Sequence, residues 1–502
     1  MILAHLDQLG INIDRSLTAA TEAAPGAAAA TAEAAAELVT RTSIFNGYVG
    51  VFIAAFLTTI IATPLMRRLA VANGVIDSPS DPRKIHKIPV AYLGGAAVYL
   101  GLVAAIFYSV MAVRYHWLAD YHPSEQAPLR IHRIMPWSIM LGMTVIMLVG
   151  LLDDIVGISP RLKIAGQLFA AAALAADQIG VQVARGFILP VAEGLGIPTV
   201  EFATDDGGVI ETIGFAINLP TTLPLVGAAI EFDLVYWTGA ALIALFVLGG
   251  CNASNLIDGL DGLLSGVTAI AAAGILIIAL GLAVADDGPR DTQRIVLALA
   301  IMGACLGFLP HNFNPANIFL GDCGSLLLGY CTVVLILMLG DTGKTHLVIA
   351  GLVIYAIPII DTTLAIVRRK LAGKSFSEAD ADHLHHMLKR TFGVKGAVFT
   401  LYGIGAGFAA LGVAASFGRA RLVYALILIF ASYIGVTAIK IARRKVIEEQ
   451  TNAGTGGFHA ADSGRPSKAE SQPTPEAAEP PARPLAQHEP TDTPGRSTAG
   501  AG

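Results

Sequence analysis

Apolar runs of about 20 residues, the length an α-helix needs to cross a bilayer, recur along most of this chain. They cover 44–66, 93–113, 136–152, 162–180, 235–252, 263–284, 294–311, 325–340, 346–367, 397–416 and 420–441, about eleven candidate spans. Hydrocarbon offers a backbone no hydrogen-bond partner, so such spans must be helices. Charged residues make up only 14% of the chain, where about 25% is usual in a soluble protein. The fold class expected is an all-α polytopic membrane protein.

The flanks differ from this body. Residues 1–43 are rich in Ala, Thr and Glu and read as a loose leader; 448–502 are rich in Pro, Ala, Ser and Gly and read as a disordered tail. The membrane domain is then 44–447. Within it, 181–234 carries Pro, Gly, the acidic Asp205 and Asp206 and a stretch of β-type alternation, which predicts a small extramembrane hairpin. No basic region followed by an apolar core opens the chain, so no cleavable signal peptide is expected. A net charge of −5 gives no basic surface for nucleic acid, and four cysteines without a CxxC pair exclude a disulfide scaffold.

Lys and Arg set the expected orientation. The 67–92, 153–163 and 368–396 loops are basic, and Arg443, Arg444 and Lys445 follow the last run. With eleven spans these all fall on the cytoplasmic side, leaving the N-terminus outside and the tail inside. Arg114, Arg130 and Arg133 are exceptions.

Five polar loops on that one face hold the unusual residues. They are IDSPSDPRKIHKIPVAYLGG (76–95), GLLDDIVGISPRLK (150–163), CNASNLIDGLDGLLSG (251–266), HNFNPANIFLGDCGSLLLG (311–329) and RRKLAGKSFSEADADHLHHMLKR (368–390). Asp153 and Asp154 form a carboxylate pair where a helix leaves the membrane; such a pair also simply marks a helix end. Asn252, Asn255 and Asp258 recur at every third position, so a helix would gather them on one side, and Gly259 and Gly262 then interrupt it. Asp322 stands between two glycine-containing steps at the head of a span, where it reads as a ligand or as a helix cap. Few oxygen donors with room for water and phosphate suit Mg²⁺, with Mn²⁺ the alternative ion.

His383, His385 and His386 form the densest local feature. Zinc is a rival reading, although no Cys or Glu stands at the usual ligand spacing; incidental interfacial histidines are another. Acids able to hold Mg²⁺ beside Arg161, Lys163, Arg368, Arg369 and Lys389 describe a site for a pyrophosphate-bearing substrate.

In order along the chain, RKIHKIPVAYLGG, the DD of GLLDD, NASNLIDGLDGL, NIFLGDCGSL and DHLHH resemble the polyprenyl-phosphate N-acetylhexosamine-1-phosphate transferases, of glycosyltransferase family 4 type. The likeness covers roughly residues 45–445 and leans to the WecA/TagO branch of undecaprenyl-phosphate GlcNAc-1-phosphate transferases. It implies transfer of a sugar-1-phosphate from a UDP-sugar to undecaprenyl phosphate in a bacterial plasma membrane, with release of UMP. It further implies that Asn255 and Asp322 hold Mg²⁺ and that Asp261 contacts the uracil. By the same likeness Lys163 binds phosphate, the HLHH histidines touch the pyrophosphate, and Asp153 and Asp154 are the catalytic pair. Asn252 and Asp258 join the substrate-binding set, and a homodimer is an oligomeric form open to such a chain. One departure stands out: Ala91 and Tyr92 occupy places where the branch often has Pro-Arg.

Two other readings compete. A phospho-MurNAc-pentapeptide transferase shares the chemistry. A secondary transporter would carry its acids near the bilayer midplane in repeated halves, whereas these acids gather at one end of the spans.

Overall fold

A computed structural model describes residues 45–77, 89–115, 134–203, 209–223, 227–285, 290–341, 343–371 and 384–417, with 425, 432 and 436 singly. The expected leader and tail, and nearly all of the 420–441 run, lie outside the described residues.

The apolar runs form helices. In chain order the long ones are α1 (Val49–Ala72), α2 (Gly94–Arg114), α3 (Trp137–Val156), α4 (Pro160–Ala176), then after a 13-residue helix α5 (Gln182–Gly194) come α6 (Leu234–Ile257), α7 (Leu263–Ala285), α8 (Asp291–Asn312) and α9 (Gly321–Met338). They are followed by α10 (Thr345–Ile354), α11 (Ala356–Leu371) and α12 (Leu384–Phe417). Among the described residues eight helices are long and apolar enough to cross a membrane, or nine if α10 and α11, bent by 78° at Tyr355, count as one span. The eleven expected are not reached there, because α4 has only 17 residues, the short limit for a crossing, and 420–441 is not described. The protein is a multi-pass, all-α membrane protein.

Segment 181–234 is more elaborate than one hairpin. It holds α5 and two antiparallel strand pairs, β3 (Val200–Ala203) with β4 (Val209–Thr212) and β5 (Gly214–Leu223) with β6 (Gly227–Asp233). A smaller pair, β1 (Ile76–Asp77) with β2 (Val90–Ala91), closes the first polar loop.

The core is centred on α9, buried at every residue from Cys323 to Met338 and packed by α2, α3, α6 and α8. By contrast α1 lies at the edge. Val49, Ile53, Leu57, Ile61, Leu65 and Leu69, one helical turn apart, are all exposed on it, the stripe that a lipid-facing helix presents. The central position of α9 matters for function, since its first turn carries Asp322.

Candidate active site

Three polar loops are stitched around the start of α9. Ala91 accepts from the backbone N–H of Phe319 at 2.9 Å, and the N–H groups of Gly94 and Gly95 donate to Phe319 and Leu320 at 3.0 and 2.9 Å. The first and fourth sequence loops thus share a short parallel contact. Close approach demands small residues: a β-carbon on Gly95 would lie 2.1 Å from the Gly324 nitrogen, and one on Gly150 of α3 would lie 2.5 Å from the Cys323 α-carbon. That approach lets Asp154, near the end of α3, accept the N–H groups of Asp322 and Cys323 at 2.8 and 3.0 Å. A carboxylate from another helix therefore caps α9, where unpaired N–H groups and the helix dipole favour an anion.

Asp322 is left to face outward from the cap. Its Oδ1 accepts from the Asn255 amide at 2.8 Å, and its Oδ2 pairs with the Lys163 ammonium at 2.7 Å. Lys163 also pairs with Asp153 Oδ2 at 2.6 Å, so one cation bridges carboxylates from two helices. Its place follows from a local signal, since Ser159 caps α4 by accepting from Leu162 N–H and Pro160 occupies the first helical turn. Asn255 also donates to Ser325 Oγ at 3.0 Å, which leaves its carbonyl oxygen for a further partner. Lys163, Asp322 and Asp153 remain partly open, at 26%, 26% and 18% side-chain exposure.

The turn between α6 and α7 supplies two more acids. Burial, together with repulsion from Asp322, Asp154 and Asp261, pushes the Asp258 carboxyl up to about 8. Asp261 accepts from Asn314 Nδ2 at 2.8 Å and Ala316 N–H at 3.1 Å, which anchors the loop before α9. Asn252 reaches α4, the helix of Lys163, its amide donating to Gln167 at 2.9 Å and to the Leu248 carbonyl at 2.8 Å.

His383 lies outside the described residues. His385 is buried, with Nδ1 3.4 Å from Asp361 Oδ2, and the half-buried His386 ring stands 4.3 Å from it, centroid to centroid. Tyr92, the departure noted in the first loop, hydrogen-bonds Asp77, and its ring packs on Phe319 at 6.0 Å. Burial, Asp77 and the nearby Asp154 and Asp322 hold its phenol well above the ordinary range, so it stays protonated.

Three residues escaped the sequence reading. Buried Asn312 accepts from Gly262 N–H and Ser265 Oγ and donates to Ile318, locking two loops together. Ser325 and Asp361 were hidden inside apolar runs; a lone acid within a span was the signal available for Asp361.

Asp153, Asp154, Asp258, Asp261 and Asp322 thus converge with Lys163 bridging two of them, a net-anionic cluster suited to a cation. Asp322 and Asn255 are the oxygen donors that could hold a hard divalent ion. Among the described residues no three His, Cys, Asp or Glu side chains make a metal site by themselves. An ion here would take its remaining ligands from water or substrate, as Mg²⁺ commonly does.

A family model described as glycosyl transferase family 4 matches residues 136–340. A probable undecaprenyl-phosphate N-acetylglucosaminyl 1-phosphate transferase of Bacillus subtilis is 31% identical over 359 residues, 70% of this chain and 81% of the relative. The chain belongs to glycosyl transferase family 4. A decaprenyl-phosphate N-acetylglucosaminephosphotransferase of Mycolicibacterium smegmatis is 30% identical over 421 residues, 78% of this chain and 88% of the relative. A phospho-N-acetylmuramoyl-pentapeptide-transferase of Bacillus cytotoxicus is 28% identical over 347 residues, 66% and 87% of the two chains. The stretch matched by the glycosyl transferase family 4 model holds every acid of the cluster, Lys163 and Asn255; Tyr92, Asp361 and the histidines lie beyond it.

Proposed function

We propose that this family member transfers N-acetylglucosamine-1-phosphate from UDP-N-acetylglucosamine to undecaprenyl phosphate, with Mg²⁺ at the site and UMP as the leaving group. The observation that carries the reading is Asp322, joined to Asn255 on one oxygen and to Lys163 on the other, at the head of a buried helix. An oxygen of the lipid phosphate attacks the phosphorus that bears the sugar, and the bond from that phosphorus to UMP breaks. Both reactants are anions, so positioning and charge neutralisation carry the catalysis.

Asn255 and Asp322 would hold the ion, which when bound would neutralise phosphate charge. Lys163 exchanges a carboxylate for a phosphate oxygen as substrate enters, a charge-assisted bond of the same kind. Both carboxylates are engaged, Asp154 by the N–H groups of Asp322 and Cys323 and Asp153 by the Ile158 N–H and Lys163, so either must give up a partner to take the proton of a monoprotonated lipid phosphate. Such a phosphate is mostly dianionic at neutral pH, so Asp153 also serves by orienting it through Lys163. Basic Arg67, Arg68, Arg161, Arg368 and Arg369 support a cytoplasmic position for this end in a bacterial plasma membrane.

Purified protein is offered undecaprenyl phosphate with radiolabelled UDP-N-acetylglucosamine or UDP-MurNAc-pentapeptide, in Mg²⁺ or in chelator. Labelled lipid from the first donor alone, lost in chelator and restored by Mg²⁺, is the expected result. Label from the pentapeptide donor alone would move the protein to the other branch, and no lipid product from either would overturn the reading.

A further inference from the structure

Asp361 is a carboxylate within α11, 1% exposed, and no step above uses it. A charge this deep in an apolar helix persists only when it is matched. Its two oxygens are divided between neighbours on one segment. Oδ1 accepts the N–H of Leu384, the first residue of α12, at 2.7 Å, and Oδ2 lies 3.4 Å from His385 Nδ1.

His385 is also 1% exposed, and the far side of its ring meets the acidic turn. A β-carbon on Gly259 would lie 2.5 Å from His385 Nε2, so the imidazole fills the space that a side chain there would need. Gly259 sits between Asp258 and Leu260 in the turn that carries Asp258 and Asp261. The His386 ring follows at 4.3 Å. Further along, α12 breaks at Gly393, whose φ is 71°, so its first turns are not held in line by the membrane portion of the helix. Something else must hold them.

We propose that Asp361 is a positioning residue: it clamps the start of α12 and the His385 ring against the Asp258–Asp261 turn, and thereby sets where His386 stands at the site. The backbone half of the clamp satisfies an N–H that a helix start leaves without an internal partner, and the negative charge suits that end of the helix. The side-chain half orients an imidazole, as a carboxylate on one ring nitrogen does. The consequence for turnover rests on the reaction proposed above, whereas the clamp itself does not.

Four full-length proteins test it: Asp361→Ala, Asp361→Asn, His385→Ala and the Asp361→Ala/His385→Ala double variant. Misplacing a substrate-facing group by about 1 Å costs on the order of a hundredfold, so Asp361→Ala should lose about ten- to a hundredfold in kcat while KM for undecaprenyl phosphate shifts by less than about threefold. Asp361→Asn still accepts from Leu384 and should recover most of the rate. The double variant should be no slower than His385→Ala, because both changes act on one unit. Hydrogen exchange in substrate-free protein should rise over 384–392 in Asp361→Ala and stay low in Asp361→Asn. Multiplying losses in the double variant, or a wild-type rate in Asp361→Ala, would overturn the proposal. If the unaltered protein transfers neither donor, the reaction is wrong, and exchange over 384–392 still decides the clamp: no rise in Asp361→Ala defeats it.

Discussion

At the scale of single residues, adjacent carboxylates have been given different work. Asp153 pairs with Lys163 and accepts the nearby Ile158 N–H, which an Asn would still accept, while Asp154 receives two N–H groups of α9. Asp153→Asn should therefore abolish most transfer and leave the melting temperature almost unmoved. Asp154→Ala should lose both, since charge-assisted hydrogen bonds contribute about 1.5–3 kcal/mol each; thermal unfolding beside the transfer assay separates the two. Asp258 carries a further expectation. Its folded carboxyl titrates at about 8, against about 4 in an unfolded chain. Between those values the folded state binds the extra proton, so the contribution of Asp258 to stability is full below about pH 4 and is lost as pH rises through about 8. Melting of the metal-free protein should show that decline, and Asp258→Asn should flatten it. A slope unchanged in Asp258→Asn would assign the effect elsewhere. That these acids meet was legible in the sequence, because five polar loops had to share one end of the spans. That Asp154 caps a helix 168 positions away was not, since only the packing of α3 on α9 creates the contact.

Among the elements, the contact of α3 with α9 is the one on which the site depends. A methyl on Gly150 would meet the backbone of Cys323 at 2.5 Å, and backbone cannot swing aside as a side chain does. Gly150→Ala should force the helices apart, cost about 1–3 kcal/mol as overpacked cores do, and release the Asp154 cap. Melting and transfer should fall together, and normal values of both would show that the helices adjust without harm. Helix positions were readable from apolar length, but glycine in a span carries no sign of what it packs against. Similarly, the α10–α11 run reads as one span at 346–367, yet bends by 78° where the Tyr355 hydroxyl bonds Ser254 of α6. Apolar periodicity reports that a segment is buried in oil or protein, and is blind to direction. The break of α12 at Gly393, by contrast, falls within the loop read over 368–396, just ahead of the 397–416 run.

Over the whole molecule, polar groups collect at two ends separated by the apolar body, and the two ends are built on different terms. At the site end, carboxylates outnumber the cation that bridges them, which leaves charge for an ion and a substrate to balance. The other end is closed on itself. Arg290 pairs with Asp341 at 2.7 Å, Asp341 also accepts from Gly180 N–H at 3.1 Å, Arg294 pairs with Asp291 and donates to the Met338 carbonyl, and Ser138 donates to Asp177 at 2.7 Å. This network was not read from the sequence, where Ser138, Asp177 and Arg294 lie inside the apolar runs, because the matching depends on α8, α9 and the α4–α5 turn arriving together. Each of these acids is already paired or hydrogen-bonded within the network, so the network should matter for stability alone. Arg290→Ala leaves the nearly buried Asp341 without its closest cation, and breaking a buried pair costs about 3–5 kcal/mol when the partner is stranded, less here because Arg290 is partly exposed. The variant should melt several degrees lower, yet below its transition it should keep wild-type KM for both the nucleotide donor and the lipid acceptor, because Arg290 stands at the start of α8 and the site at its far end. Kinetics at a temperature where both proteins are folded check this. A raised KM for either substrate in Arg290→Ala would show that the two ends are coupled through α9, the buried helix that carries Asp322 at its head.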